Sequence, residues 1–161
     1  MIIRHAKKED YGEILDIEMV NFLREEAASP EAMKERLAII PDTFLVAELD
    51  HRVVGYIVGP VIDKRYLTDD LFETIKPNSG QSGFIAVQSL SVAPNYQGQG
   101  IGTALLAALK DLALAQGREG ISLTCRAELI SYYELNGFSD EGESSSQHGG
   151  QIWYNLVWEY R

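Results

Sequence analysis

The sequence is short of several residue types, and each shortage excludes a kind of protein. It holds one cysteine, Cys125, so no disulfide can form within the chain, and this predicts a reducing, cytoplasmic location. The three histidines are scattered at positions 5, 51 and 148, which gives no metal-ligand spacing. No apolar run approaches the roughly 18 residues of a membrane span, and the N-terminus lacks the basic-then-apolar order of a signal peptide. We therefore expect neither a metal nor a membrane partner.

Basic residues are also scarce. Lysine and arginine total 14 against 24 aspartates and glutamates, which gives a net charge of −10. Nucleic-acid-binding proteins usually carry a basic stripe, and because the chain has none we expect no nucleic-acid partner. An acidic surface attracts cations instead. An anionic ligand would therefore have to be held by local groups, against the field of the whole chain.

The remaining composition is that of an ordinary globular protein. The 161 residues are 45% hydrophobic and 24% charged, and we predict a single domain over residues 1–161. Hydrophobic periodicity gives the element order β, α, α, β, β, β, α, β, α, β, β. This order predicts an α+β (mixed α/β) fold with a central, mixed but mostly antiparallel, twisted sheet of about seven strands and helices on both faces.

Three local signals set boundaries along the chain. Ser29 before Pro30 is typical of a helix N-cap followed by proline at the first helical position. Asp50-His51 lies between two β-rich runs and predicts a hairpin turn. Residues 63–82 look irregular, and such a long connection within a compact domain is often functional.

The alternation of apolar residues slips by one in the predicted fourth strand. Ile85 and Val87 share one parity, whereas Leu90 and Val92 share the other. One inserted residue near Gln88, a β-bulge, produces such a slip and often lies beside a functional site. A strand buried on both faces is the alternative, because parity then carries little information.

Glycine recurs at positions 98, 100 and 102, immediately before a predicted helix. The first amides of a helix lack internal partners and carry partial positive charge, so they bind anions, and glycine lets a ligand approach the main chain closely. The dinucleotide fingerprint needs G-x-G-x-x-G, and a P-loop needs a lysine after its last glycine, which the chain does not supply. The Q/R-x-x-G-x-G/A loop of acetyl-CoA-binding proteins fits at every required position from Gln97 to Gly102. An ordinary flexible turn is the remaining alternative.

Two segments carry a likeness to a known family. The segment LSVAPNYQGQGIGTALL, at 90–106, resembles motif A of the GNAT N-acetyltransferase superfamily, in which a bulged strand precedes the coenzyme loop. The segment YYELNGF, at 132–138, is similar to the family's tyrosine-x-x-x-glycine-phenylalanine motif, with Tyr133 as the tyrosine. Order and distance match the family, and the likeness covers nearly the whole chain. The resemblance implies a GNAT-like fold and acetyl-CoA as co-substrate.

A closer likeness is to the arylalkylamine (serotonin) N-acetyltransferase branch. Residues 16–37, 53–70 and 123–138 each resemble segments of that branch, and so does the long insertion before the bulged strand. The branch carries two histidines on the bulged strand, whereas Ala86 and Gln88 stand at their places here. This difference removes the branch's proton path from the amine.

The resemblance also implies a coenzyme site. The main chain of the bulged strand pairs with the pantetheine arm, and the loop amides hold the diphosphate. Tyr133 donates a proton to the leaving thiolate as general acid. The implied cofactor-binding residues are Leu90, Ser91, Val92, Gln97, Gly98, Gln99, Gly100, Ile101, Gly102, Thr103 and Tyr133.

The sequence identifies the group that deprotonates the amine less clearly than it identifies the coenzyme site. Glu128 follows the fifth strand near the expected cleft, and Gln88 is a candidate for positioning a water molecule, although both types are more often solvated surface residues. We expect the acceptor pocket between the first two helices and the 63–82 insertion. Its residues could equally be core or a dimer seam. The substrate-binding candidates are Phe22, Glu25, Tyr66 and Gln88.

We therefore predict transfer of an acetyl group from acetyl-CoA to a primary amine, by direct attack in a ternary complex and without a metal. The acceptor is a small cationic amine, either an arylalkylamine or polyamine-like. The alternatives are an acetyltransferase for protein or peptide N-termini, an acyl-CoA-binding sensor without turnover, and a nucleotide-binding module. The predicted partner is the small-molecule amine, and the chain is a monomer or homodimer.

Overall fold

A computed structural model describes residues 1–23, 26–72, 75–78, 80, 82–146 and 150–160. Within these residues the chain forms nine strands and four α-helices, in the order predicted from the sequence. Two predicted strands are each divided in two, which accounts for nine strands where about seven were expected. The elements are β1 (Ile2–His5), α1 (Tyr11–Asn21), α2 (Pro30–Ile39), β2 (Phe44–Leu49), β3 (Arg52–Val58), β4 (Val61–Ile62), β5 (Phe84–Val87), β6 (Ser89–Val92), α3 (Ile101–Ala115), β7 (Gly120–Cys125), α4 (Ile130–Leu135), β8 (Ser139–Glu143) and β9 (Tyr154–Glu159).

The predicted helix cap and hairpin turn are both confirmed. The Ala32 amide donates to Ser29 Oγ at 3.1 Å, and Pro30 opens α2. Asp50 and His51 both have positive φ, 51° and 64°, as a two-residue type I′ turn requires. This turn joins β2 to β3 with the right-handed strand twist preserved.

The strands form two sheets rather than one continuous sheet. β1, β2, β3 and β6 make a four-stranded sheet, and β4, β5, β7, β9 and β8 make a five-stranded one, each in that order. Among the described strands, β5 and β7 pair in parallel and all other pairs are antiparallel. β5 and β6 are separated only by Gln88, so the two sheets diverge at this residue.

The predicted bulge is confirmed at the point of divergence. The Gln88 amide donates to the Val58 carbonyl at 2.8 Å, while Ser89 also pairs with Val58. Two residues of one strand therefore oppose one residue of its neighbour. Because of the extra residue, the apolar side chains before and after the bulge contact the same core. These side chains are Ile85, Val87, Leu90 and Val92.

Helices cover both faces of the first sheet, as predicted. In β2, Leu45 and Ala47 point into a core beneath α3, whereas Phe44 and Val46 point into a second core beneath α1 and α2. This alternation is what a strand buried on both faces requires. The larger core also takes in the inner face of the second sheet.

The outer face of the second sheet is crossed by residues 63–72, which we call the cover segment. Arg65 pairs with Glu141 at 2.5 Å and with Glu159 at 2.7 Å, and its guanidinium lies 5.8 Å from the centre of the Phe84 ring. Leu67, which belongs to the segment, is buried. The irregular insertion is thus a tethered layer over the sheet.

The part of the chain that the structure describes contains no helix with the length and apolarity needed to cross a bilayer. The same residues bring together no group of three histidine, cysteine or carboxylate side chains able to hold a metal ion.

Candidate functional site

The glycine-rich loop ends in an open N-terminus of α3. Gly98 and Gly100 have φ of 76° and 82°, a conformation that other residues rarely adopt. A Cβ atom added to either glycine would meet no atom within 4 Å. Helical bonding begins with the Ala104 amide, which donates to the Gly100 carbonyl at 3.0 Å, and no side chain caps the helix. The Gln97 amide donates to the Pro94 carbonyl, and the amides between Gln97 and Ala104 are left to bind an external acceptor.

Gly102 serves a different purpose from the two loop glycines. A Cβ atom at this position would come within 2.7 Å of the Tyr132 hydroxyl, which also lies 3.4 Å from Thr103 Oγ1. The missing side chain thus makes room for Tyr132 against the first turn of α3. Ile101 is buried in the core, so only its amide is available to a ligand.

β6 is the edge of the first sheet and leads towards the same loop. The Ala93 amide donates to the Val54 carbonyl, so by alternation the peptide groups of Leu90 and Val92 point away from β3. The Val92 carbonyl accepts from Asn21 Nδ2 at 2.7 Å and from Gln97 Nε2 at 3.0 Å. The peptide groups of Leu90 and the amide of Val92 therefore form the free part of this edge within the described structure.

Ser91 differs from its two neighbours on β6. Its backbone is paired with Tyr56 of β3. Its hydroxyl accepts from Asn21 Nδ2 at 2.6 Å on the side of α1. Of the three strand residues predicted to bind the coenzyme, Leu90 and Val92 face the open edge and Ser91 faces the sheet.

A cleft of about 120 Å³ opens where the two sheets diverge. Its wall is mostly apolar, with a few polar groups, a composition that is typical of small-molecule sites. The lining residues are Glu18, Phe22, Glu26, Val87, Gln88, Ser89, Leu90, Leu123, Thr124, Cys125, Leu129, Tyr133 and Trp153. The split at the bulge thus brings groups from both sheets, α1 and α4 to one place.

Tyr133 lies in the cleft wall with only 8% of its surface exposed. Its ring packs edge-to-face against Tyr132 at 5.1 Å and Phe138 at 5.7 Å between centroids. Burial, followed by the neighbouring Cys125, raises the pKa of the Tyr133 hydroxyl, which therefore keeps its proton at neutral pH. Burial also raises the pKa of Cys125 to about 12, which leaves the thiol protonated and a poor nucleophile.

Gln88 reaches from the bulge to the cover segment. Its Nε2 donates to the Leu71 carbonyl at 2.6 Å. Its Oε1 is buried and has no hydrogen-bond partner among the described residues. Because Nε2 is used by Leu71, the orientation of the amide is set, and Oε1 is left as an unused hydrogen-bond acceptor on a residue that lines the cleft.

Glu18 is a cleft carboxylate that the sequence analysis missed. It is 2% exposed. Tyr56 donates its hydroxyl to Oε1, Ser89 Oγ donates to Oε1 at 3.2 Å, and the Ala28 amide donates to Oε2 at 2.8 Å. Burial lowers the pKa of the nearby Arg36 guanidinium, and the negative charge of Glu18 opposes this shift. The two buried groups therefore attract each other. A signal was present, because Glu18 follows the buried Ile14 by four residues and so lies on the core face of α1.

Two predicted site residues lie away from this cleft. The Glu128 side chain is 67% exposed and lies 3.4 Å from Arg126. Tyr66 donates its hydroxyl to Glu141 at 2.6 Å and lines a second cavity, of about 600 Å³, beside the cover segment. Phe22 and Gln88 do line the cleft, whereas Glu25 is outside the described residues.

Comparison with known proteins agrees with this geometry. The model of the acetyltransferase (GNAT) family matches residues 7–138. The chain is 31% identical over 138 residues to "Acetyltransferase SG1711" of Sodalis glossinidius (strain morsitans), covering 83% of this chain and 84% of that protein.

Solved structures share the fold. The GphF GNAT-like decarboxylase in complex with isobutyryl-CoA superposes with a TM-score of 0.86 at 16% identity over 100% of both chains. Naa20 of Chaetomium thermophilum in complex with a bisubstrate analogue gives 0.75 at 20% identity, over 99% of this chain and 86% of that one. With the mixed sheet, the bulge and the glycine loop in place, and with a family model that matches most of its length, the chain belongs to the GNAT acetyltransferase family.

Proposed function

We propose that this acyltransferase moves an acetyl group from acetyl-CoA to a small cationic primary amine, by direct attack in a ternary complex. The observation that carries the proposal is the meeting of Glu18, Gln88 and Tyr133 in one cleft beside an open anion-binding helix end. Glu18 can take up a proton from an amine, Gln88 can accept a hydrogen bond from the amine, and Tyr133 can give a proton to the leaving thiolate.

The residues from Gln97 to Thr103 fit the diphosphate of the coenzyme. The space over Gly98 and Gly100 is open, and the amides that end at Thr103 precede the first helical hydrogen bond. Neutral amides bind an anion without a basic side chain, which suits a chain with a net charge of −10. The coenzyme itself would supply the acetyl group, activated as a thioester.

Glu18 is the group we assign to deprotonating the acceptor. An alkylamine with a pKa near ~10.4 is almost wholly protonated at neutral pH and cannot attack a carbonyl. Glu18 Oε1 reaches the cleft wall beside Ser89, and Gln88 Oε1 is available to accept an N–H of the same amine. Ala86 and Gln88 replace the paired histidines of the arylalkylamine branch, so the carboxylate takes over the basic role.

Tyr133 holds the proton that the leaving thiolate requires. Its raised pKa keeps the hydroxyl protonated, and it lies in the cleft wall with Cys125 and Leu123. The acceptor body would rest against the apolar residues of the cleft, Phe22, Leu129 and Trp153. This lining supports an amine with a short apolar or aromatic group, as in the arylalkylamine branch.

The test is release of free thiol from acetyl-CoA against a panel of arylalkylamines, alkylamines and peptides with free N-termini. We expect an amine to accelerate release, and we expect Glu18→Gln to lower kcat/KM by about 10²–10⁴. The loss should shrink as the pH approaches 10, because the amine then loses its proton unaided. The exposed Glu134→Gln is the matched control and should behave as the wild type.

Four outcomes would contradict the proposal. If the protein binds the coenzyme but no amine accelerates thiol release, it is a sensor rather than an enzyme. If a peptide is the sole substrate, the acceptor is a peptide N-terminus and not a small amine. A loss in Glu18→Gln that is constant at every pH would reflect damage to the buried hydrogen bonds that Glu18 accepts from Tyr56 and from the Ala28 amide. Comparable loss in Glu128→Gln would return the basic role to that residue.

A further inference from the structure

The Glu18 carboxylate already accepts hydrogen bonds on both of its oxygen atoms. Oε1 accepts the hydroxyl groups of Tyr56 and Ser89, and Oε2 accepts the Ala28 amide at 2.8 Å. A carboxylate oxygen offers two lone pairs, so both lone pairs of Oε1 are occupied. An amine therefore cannot place an N–H on Oε1 unless it displaces one of the two hydroxyl groups.

The other oxygen atom of Glu18 is directed away from the cleft. Its partner is the Ala28 amide, and Ala28 packs against the core beneath α1 and α2, outside the cleft lining that the described residues form. Glu18 itself is only 2% exposed. A proton from the cleft therefore reaches this carboxylate most directly through a hydroxyl group bound to Oε1.

Of the two hydroxyl groups on Oε1, the one that reaches the cleft is that of Ser89. The Tyr56 side chain is fully buried in the core beneath α1 and α2, whereas Ser89 lines the cleft. The Ser89 hydroxyl donates to Glu18 Oε1 at 3.2 Å. Within the described part of the chain no group donates to the Ser89 oxygen, so its lone pairs remain for a ligand.

The bulge places a second acceptor next to this serine. Adjacent residues of a regular strand point to opposite faces, but at the bulge Gln88 and Ser89 both line the cleft. Gln88 Oε1 is the unused acceptor of its amide. An ammonium group, which has three N–H donors, can therefore be held by Gln88 through one N–H while another is directed at Ser89 Oγ.

We infer that Ser89 is a catalytic residue that relays the proton of the acceptor amine to Glu18. The inference rests on the proposed function and deepens it. One N–H bond of the ammonium group breaks and an O–H bond forms on Ser89 Oγ, while the original O–H bond of Ser89 breaks and one forms on Glu18 Oε1. The nitrogen keeps the electron pair that attacks the thioester carbonyl. A hydroxyl can act in this way because it both donates and accepts hydrogen bonds, and Ser89 is neutral before and after the step.

A matched pair of substitutions, Ser89→Thr and Ser89→Val, tests the relay. The two side chains have nearly the same shape, but only threonine keeps a hydroxyl group. With phenethylamine as acceptor at pH 7, kcat/KM for thiol release should stay within about fivefold of the wild type in Ser89→Thr. In Ser89→Val it should be lower than in Ser89→Thr by about 10² or more, as expected when a proton-transfer group is lost. Equal values in the two variants would overturn the relay.

The pH dependence of this ratio separates a relay from a purely structural role. The ratio should shrink as the pH rises from 7 towards 10, because an alkylamine with a pKa near ~10.4 then begins to lose its proton unaided. Burial raises the pKa values of Tyr56, Cys125 and Tyr133, so these groups keep their protons in this range. A ratio that is constant with pH would show that valine only distorts the pocket, and it would overturn the relay. The charged and titratable groups that surround Ser89 and Glu18 are Glu26, Arg36, Tyr56, Cys125 and Tyr133.

The same pair in the Glu18→Gln background tests whether Ser89 acts through Glu18. Without the proton acceptor, Ser89→Thr and Ser89→Val should have kcat/KM values within about twofold of each other, since residues that act as a unit are non-additive. A ratio as large as in the parent background would overturn the relay. Ser122→Ala is the control, because Ser122 is also a fully buried strand serine but lies outside the cleft lining. It should keep wild-type activity within about twofold.

Failure of the relay and failure of the proposed function give different results. If the wild type acetylates amines but the threonine and valine variants are equal, the relay alone is overturned. If only a peptide with a free N-terminus releases thiol, the proposed acceptor class is wrong, and the same two variants measured with that peptide decide the relay. If no acceptor accelerates thiol release in the wild type, both the function and the relay are overturned.

Discussion

Tyr133 illustrates how the surroundings of one side chain suit it to the role proposed for it. A tyrosine in water has a pKa of ~10 and is a weak acid at best. Here the rings of Tyr132 and Phe138 and the wall of the cleft exclude water from the hydroxyl, and burial raises its pKa further. The residue is therefore suited to hold a proton until a thiolate, a stronger base than water, is formed beside it.

Replacement of Tyr133 by phenylalanine tests this role. The ring contacts stay, so coenzyme affinity measured by titration calorimetry should change by less than about threefold. The proton donor is lost, so kcat should fall by about 10² or more. Near-normal turnover in Tyr133→Phe would remove the assignment, and an equal loss of coenzyme affinity would show that the hydroxyl acts in binding.

At the scale of an element, several contributions to anion binding, each of them weak, act together at the N-terminus of α3. Its first amides are unpaired by the helix, its dipole favours an anion, and two glycines of positive φ open the approach. β6 ends just before this loop and presents the Leu90 peptide groups at the sheet edge. A phosphate and an extended arm can therefore be bound by main-chain groups, with few demands on side-chain charge.

Two substitutions of nearly equal shape, Gly100→Asn and Gly100→Asp, separate the effect of charge on coenzyme binding from the effect of shape. Asparagine and aspartate tolerate positive φ better than most residues, and a Cβ at this position meets open space. Gly100→Asn should fold normally and bind coenzyme A with a moderate loss. Gly100→Asp should bind it at least about tenfold more weakly than Gly100→Asn at low salt, because two like charges then share the site.

Calorimetry at two ionic strengths checks this prediction. The difference between the two variants should narrow as salt increases, since screening acts on exposed charges. Equal affinities in Gly100→Asn and Gly100→Asp would mean that the diphosphate is held elsewhere.

On the scale of the whole molecule, the cover segment joins strands that are far apart in sequence. Arg65 donates two hydrogen bonds to Glu141 of β8 and one to Glu159 of β9, and Tyr66 adds a third bond to Glu141. The pKa of Glu141 is lowered, first by the hydrogen bonds from Arg65 and then by the one from Tyr66. Together these bonds outweigh partial burial, which by itself would raise the pKa. The stabilisation is therefore present above the unfolded pKa of about 4.3 and is lost as the pH falls through the lower, folded value.

Hydrogen exchange of the amides of residues 63–72 tests whether the contacts with Glu141 hold the cover segment in place. In the wild type, protection relative to intrinsic rates should fall by about fivefold when the pH drops from 6 to 3, which corresponds to roughly 1 kcal/mol for a partly exposed ion pair. Glu141→Gln should show the reduced protection at both pH values. Wild-type protection in Glu141→Gln at pH 6 would show that apolar contacts such as Leu67 hold the segment by themselves.

Local signals were enough to predict much of this molecule from its residues. The Ser29 cap, the hairpin turn and the glycine loop each depend on neighbours within a few positions, and each is where it was expected. The bulge was predictable for the same reason, because a parity slip records a change of face along a single strand. The family followed from two such local motifs in the expected order.

The acid–base groups depended instead on contacts between distant elements. Glu18 and Glu128 are both single glutamates, and the only local signal that separates them is the four-residue spacing of Glu18 from Ile14, which places Glu18 on the core face of α1. Tertiary packing turns Glu18 towards Tyr56, 38 residues away, and Ser89, 71 residues away, while Glu128 remains in solvent. Residue types and short spacings thus specify the fold and the glycine loop, whereas the divergence of the two sheets around Gln88 determines that Glu18 and the unpaired Gln88 side chain line the cleft and that Glu128 does not.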